Sequence, residues 1–208
     1  MDDIRLFVGI RPPQAVLDEI DSTRARLESE IGDRAVRWVR SENYHLTLHF
    51  LGDTPRALVG DVTLAMEAAA GPASSAAAGP IELTLGALSA FPNVRRPRVL
   101  VVTVDDPDRR LEQIAERLLS ALRGRLGDEA VRTDDRPFNP HLTLGYLRRN
   151  ATHDDRRAIA PALRSARVER MQFRADRLLL VQSIPGPDGS RYTELDSVAL
   201  RITPPERS

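Results

Sequence analysis

The chain has 208 residues with 30 acidic and 30 basic side chains, so it carries no formal net charge and is not, as a whole, a polycation built for nucleic acid. It has no cysteine, which excludes disulfides, thiolate catalysis and cysteine-ligated zinc. No apolar run approaches the ~20 residues needed to cross a bilayer.

In chain order, Ile4–Ile10 reads as an apolar strand closed by Arg11-Pro12-Pro13. Val16, Leu17, Ile20, Leu27 and Ile31 then recur at helical spacing up to Gly32. Val36–Arg40 and Tyr44–Leu51 read as strands. Asp53-Thr54-Pro55 reads as a helix start, with Leu58, Val62, Ala65 and Met66 as the buried stripe. Residues 68–80 are small-residue linker material and are expected to form a surface connection. Ile81–Ser89 and Arg98–Val104 follow as strands. Asp106-Pro107 opens a helix with Leu111, Ile114, Leu118 and Leu122 on one face and Gly124 near its end. After a strand at 141–146 comes a short polar helix near 153–160, interrupted by Pro161. Arg177–Ser183 and Arg191–Leu200 flank the turn signal Pro185-Gly186-Pro187-Asp188-Gly189. The order βαββαββ followed by αβαββ predicts an α+β fold with a hint of duplication.

That hint is a repeated tetrapeptide. "YHLTLHF" at 44–50 and "PHLTLGY" at 140–146 share His-Leu-Thr-Leu, and their leading histidines, His45 and His141, are two of four in the chain. Strand alternation puts His45, Thr47 and His49 on one face, with Leu46, Leu48 and Phe50 on the other. In the second copy His141, Thr143 and Gly145 oppose Leu142, Leu144 and Tyr146. Each copy thus offers a packing side and a side bearing a proton-exchanging imidazole beside a hydroxyl. If two such strands meet about a pseudo-two-fold axis, two histidines flank one phosphorus. One removes a proton from the nucleophile while the other protonates the leaving oxygen, each contributing ~10²–10⁴-fold. Such a pair suits a strained cyclic phosphate and needs no metal.

Two other readings are open. His45, His49 and His141 could hold a metal, but four strand residues span about 13 Å at ~3.3 Å per residue, and no carboxylate cluster completes the set. A non-catalytic RNA-end-binding module could use the same arginines and aromatics, though binding alone gives no reason to pair two histidines. All 30 basic residues are arginine, a bias shared by Ala, Pro, Gly and Asp, so a phosphate role must be argued one arginine at a time.

The segments "RLFVGI" (5–10), "RWVRSENYHLTLHFLG" (37–52), "GALSAFPNVRRPRVL" (86–100), "RPFNPHLTLGYLR" (136–148) and "RLLLVQSIPGPDGSRYTEL" (177–195) together resemble the two-histidine (2H) phosphoesterases, specifically the bacterial RNA 2',3'-cyclic phosphodiesterases, also called 2'-5' RNA ligases. The resemblance implies one bilobal unit over residues 1–208. Two antiparallel sheets would be related by a pseudo-two-fold axis around a cleft, with helices outside and one HxTx motif (45–48 and 141–144) from each lobe. It implies hydrolysis of terminal 2',3'-cyclic phosphate on RNA to 2'-phosphate, with no metal and no cofactor. His45 would protonate the departing ribose 3'-oxygen, His141 would activate water, and Thr47 and Thr143 would hold phosphate oxygens. In the ligating direction the histidines would exchange roles.

Many relatives continue the second motif as HLTLAR, whereas Tyr146 stands here in place of the arginine. Either Arg148 substitutes or that contact is missing. His49 either lines the cleft edge or is a partly exposed strand residue. Phe91 could stack a base and Arg98 contact phosphate, or both could be ordinary loop residues. Phe7, Trp38 and Phe138 are assigned to the core. Met1-Asp2-Asp3, acidic before a short apolar run, has the wrong charge order for a secretory signal, so a cytoplasmic monomer without membrane association is expected. In that compartment the Asn150-Ala151-Thr152 glycosylation sequon has no meaning.

Overall fold

The computed structural model describes residues 2–71, 80–131, 137–187 and 189–200. The linker expectation at 72–79 and residue 188 of the turn signal lie outside them. The elements run β1 (Asp3–Ile10), α1 (Gln14–Ile31), β2 (Val36–Trp38), β3 (Leu46–Pro55), α2 (Val59–Ala70), β4 (Ile81–Phe91) and β5 (Val99–Asp105). They continue with α3 (Arg110–Leu126), β6 (His141–Leu147), α4 (His153–Ser165), β7 (Gln172–Ala175), β8 (Arg177–Ile184) and β9 (Arg191–Ala199). The α+β expectation holds.

Eight strands follow one path, β7-β4-β5-β6-β3-β1-β8-β9, and β2 pairs with β6 off that path. All pairings are antiparallel. The path divides into two four-stranded halves that mirror each other, each with its His-Leu-Thr-Leu strand innermost. The halves join at β3 and β6 through a single paired position, Leu46 opposite Leu142. Both leucines are buried, at 1% and 0% exposure, and belong to a core shared by the two halves.

The helices form where apolar spacing fits one face. Val16, Leu17, Ile20, Thr23 and Leu27 are the buried stripe of α1, and the Thr23 hydroxyl donates to Glu19 within the turn. Leu111, Ile114, Leu118 and Leu122 are buried on α3 as their spacing predicts. The Asp106 carboxylate caps that helix, accepting from the N–H groups of Arg110 (3.0 Å) and Leu111 (2.8 Å). The helix stops at Gly127, at φ +87°, with Gly124 near its end as expected.

Three expectations are corrected, and one strand, β7, adds to the predicted order. Asp53-Thr54-Pro55 does not begin a helix: these residues pair with Asp3, Ile4 and Arg5 as the end of β3, and α2 starts at Val59 after a 3₁₀ turn. Tertiary pairing outweighs the local capping signal. Leu58 is accordingly only half-buried, while Val62, Ala65 and Met66 are buried as expected. Pro161 does not interrupt α4: it faces solvent, while Ile159, Ala162 and Leu163 anchor the opposite side, so one lost backbone hydrogen bond is tolerated. The helix is capped by Thr152 and Asp155 in a reciprocal capping box, which gives the sequon's threonine a structural role. Finally, β7 is an edge strand too short to leave a periodic signature.

Candidate active site

Each His-Leu-Thr-Leu strand carries the same irregularity. Along β1–β3, Gly9 lies opposite Thr47 and Val8 opposite His49, so Leu48 has no partner. Along β5–β6, Val101 lies opposite Thr143 and Leu100 opposite Gly145, so Leu144 has none. Both copies therefore bulge at their fourth residue, and side-chain alternation restarts one position late. The bulge places Leu48 and His49 together on the helix-facing side and turns Phe50 toward the cleft, where it packs with Phe7 and Tyr192. In the second copy Gly145 takes the inner position against Val36 and Trp38, and Tyr146 turns outward, 37% exposed.

This overturns the strict alternation expected for the motif tails. His49 is not beside His45 and Thr47. It lies toward α3, its Nε2 buried without a hydrogen-bond partner, and burial, then the Arg123 guanidinium, hold its pKa below the ordinary value. The ligand set His45, His49 and His141 therefore does not converge. Among the described residues no cluster of three or more His, Asp or Glu side chains is arranged to hold a metal ion.

What converges is a checkerboard. With Leu46 opposite Leu142, the antiparallel register sets His45 across from Thr143 and Thr47 across from His141, all on the face away from the leucines. The two histidines are diagonal neighbours, a relation that spaces such positions by roughly 7–8 Å in a sheet. A tetrahedral phosphate fits between imidazoles so spaced. Each threonine sits beside the histidine of the other half, and neither hydroxyl hydrogen-bonds within the described residues.

Each histidine meets the backbone carbonyl two residues upstream. Nδ1 of His45 meets the carbonyl oxygen of Asn43 at 2.7 Å, and Nδ1 of His141 meets that of Asn139 at 2.7 Å. A carbonyl only accepts, so Nδ1 carries the proton in both rings, and Nε2 is the atom that accepts or delivers a proton toward the cleft. The repeat is thus Asn-x-His-Leu-Thr-Leu, two residues longer than the tetrapeptide; the two asparagines, 96 residues apart like the histidines, are its visible mark. The Asn43 side chain donates to Ser190 O at 2.8 Å, tying this segment to the β8–β9 turn.

The surroundings are not identical. His45 lies against Phe7 (ring centroids 4.5 Å) and edge-on to Tyr192 (5.1 Å), whereas His141 meets Phe91 edge-on at 4.8 Å. Phe7, assigned to the core from sequence, is buried but lines the cleft. Trp38 and Phe138 pack on the main core as expected. Burial pushes the Tyr192 phenol up to about 12, with nearby Tyr146 adding to it. Burial also pushes His45 down to about 4; the Asn43 carbonyl opposes this and the His141 charge adds to it.

A folded-state pKa depressed below 6.5 means the unfolded chain binds this proton first. Stability supplied by neutral His45 is then complete above pH ~6.5 and lost as pH falls toward 4, by at most about 1.4 kcal/mol per pH unit. An anion between the rings favours the charged form. We expect ring-nitrogen NMR to show His45 titrating near 4 in the free protein, and nearer neutrality with inorganic phosphate present. Titration at the ordinary value without phosphate would remove the burial argument.

Arg148 does not replace the missing arginine. It projects outside the cleft, its Nε donating to Asp33 O at 3.2 Å. Arg98 is exposed; its N–H donates to Phe91 O (2.7 Å), closing the β4–β5 hairpin, and its carbonyl accepts from Leu147 N (2.9 Å) at the end of β6. Tyr146 carries the Arg37 guanidinium over its ring at 4.9 Å, mirrored by Arg5 over Phe50 at 4.8 Å in the other half.

Two matched strands presenting paired His/Thr faces across one seam define a two-histidine cleft on a duplicated α+β frame. Residues 12–186 match the family model of the 2'-5' RNA ligase superfamily, and the chain belongs to that family. The RNA 2',3'-cyclic phosphodiesterase of Aquifex aeolicus (strain VF5) is 26% identical over 204 residues, covering 96% of this chain and 99% of its own. The protein of the same name from Archaeoglobus fulgidus is 29% identical over 192 residues, covering 92% and 98%. Among solved structures, TT0787 of Thermus thermophilus superposes with a TM-score of 0.74 at 26% identity, covering 95% of this chain and 98% of that one. E. coli LigT complexed with 3'-AMP shares the fold at a TM-score of 0.70 and 24% identity, covering 96% and 99%.

Proposed function

We propose that this protein is a metal-independent RNA 2',3'-cyclic phosphodiesterase, acting as a cytoplasmic monomer that opens terminal 2',3'-cyclic phosphates to 2'-phosphates and can run the reverse 2'-5' ligation. The observation that carries this reading is the checkerboard of two carbonyl-locked histidines and two threonine hydroxyls without a hydrogen-bond partner among the described residues. The names of the full-length relatives support the substrate. His141 takes a proton from water as it attacks phosphorus, and His45 delivers one to the ribose 3'-oxygen as the P–O3' bond breaks. Thr47 and Thr143 hold the non-bridging oxygens as charge builds on them.

Assigning the acid role to His45 fits its enclosure. An imidazolium desolvated against Phe7 and Tyr192 surrenders its proton readily, so it forms when the phosphate anion arrives and discharges onto the leaving oxygen. A module that merely binds RNA ends would not need two histidines, each fixed through Nδ1 by a backbone carbonyl.

The test is incubation with an oligoribonucleotide ending in 2',3'-cyclic phosphate, the product resolved by mass spectrometry and phosphorus NMR. A 2'-phosphate, formed equally with and without EDTA, is the expected result. A 3'-phosphate reverses which oxygen leaves, and activity lost to EDTA and restored by Zn²⁺ or Mn²⁺ replaces the mechanism with a metal one.

A further inference from the structure

Beside the cleft, on the second half, lies a groove of about 320 Å³ lined by Arg37, Tyr146, Leu147, Arg148, Arg149 and Asn150. It carries three arginines and no carboxylate on a chain whose formal charge is zero. None of the three forms an ion pair among the described residues. Arg37 is fixed by stacking on Tyr146, and the β8–β9 turn lies against it: a carbon added at Gly189 would sit 2.9 Å from Arg37 Nη1. The bulge after Thr143 is what turns Tyr146 outward, so the groove begins three residues from a phosphate-facing threonine. On the other side Tyr192 stands edge-on to His45, completing a run of aromatic and guanidinium surface from the reacting centre to the groove. The hairpin arginines Arg95, Arg96 and Arg98 are also basic, but they stand exposed on the β4–β5 turn, outside the residues that line this groove.

We infer that this groove holds the 5'-ward phosphodiester of an RNA strand whose terminal cyclic phosphate occupies the cleft, making the preferred substrate an oligonucleotide rather than a cyclic mononucleotide. This rests on the reading above. A strand ending in a cyclic phosphate must leave the cleft in its 5' direction, and its next phosphate is a monoanion. A concave arginine surface with one guanidinium held in place attracts that anion at little ordering cost.

The experiment compares kcat/KM for a cyclic mononucleotide and a hexaribonucleotide ending in the same cyclic phosphate, using wild type, R149A, R148A/R149A and, as an equal charge change elsewhere, R95A/R96A. Fluorescence anisotropy of a labelled 2'-phosphorylated hexamer over a salt series gives binding independent of turnover. The hexamer-to-mononucleotide ratio is expected to fall about tenfold in R148A/R149A, with the log–log salt slope of binding shallower by about 0.7 per arginine removed. R149A should fall between, and R95A/R96A should match wild type. An unchanged ratio and slope in R148A/R149A, or an equal loss in R95A/R96A, overturns the groove. Loss of hexamer binding in R148A/R149A where the wild type turns over neither substrate upholds the groove and overturns the hydrolytic reading.

Discussion

Replacing either His45 or His141 by alanine is expected to lower turnover of a 2',3'-cyclic phosphate at least ~10²-fold, while affinity for the 2'-phosphate product changes only severalfold. Each histidine moves one proton in a single transition state, and a positioned acid or base is worth ~10²–10⁴. The double variant should lose less than the product of the two single losses, because groups acting in one step are not additive. The pH profile separates the roles. Wild-type kcat/KM should be bell-shaped, and each alanine variant should lose one limb. Near-wild-type turnover in either variant would remove that histidine from the chemistry and overturn the two-histidine mechanism. Equal falls in affinity and turnover would make the histidines binding groups only.

The second large effect falls on stability. Leu142→Ala is expected to cost about 3–5 kcal/mol, because the side chain is fully buried and its removal leaves a cavity. Leu46→Ala should cost a similar amount. The two oppose each other where β3 pairs with β6, so the double variant should depart from additivity by roughly 0.5–3 kcal/mol, the size of the coupling between touching residues. Urea midpoints measure this, with Leu64→Ala, 43% exposed on α2, as a control expected within about 0.5 kcal/mol of wild type. Additive losses at the seam would mean that the halves are held together elsewhere.

Much of the frame was readable from residue pattern. The stripes of α1 and α3, the outer strands and the paired His/Thr faces follow from periodicities that the structure keeps. The bulges were not readable, because they arise from strand register: nothing local in His-Leu-Thr-Leu says that Leu48 and Leu144 lack partners across the sheet. That one irregularity misplaced His49, Phe50, Gly145 and Tyr146 together. Local signals also failed where tertiary pairing won, as at Asp53-Thr54-Pro55. Phe7 looked like core because it is apolar and lies mid-strand, yet its ring forms the wall against His45. The asparagines before each histidine stand in plain view in the sequence, but what each contributes to the imidazole is a backbone carbonyl, which leaves no signature in residue type.

The Leu46–Leu142 seam has a consequence for the width of the cleft. The jaws of this cleft are two adjacent strands, and strands lie roughly 4.7–4.9 Å apart whatever their side chains. At Leu46–Leu142 that spacing fixes where the two motif strands start, so the distance between the paired His/Thr faces is anchored by backbone rather than by the side chains that line the rim.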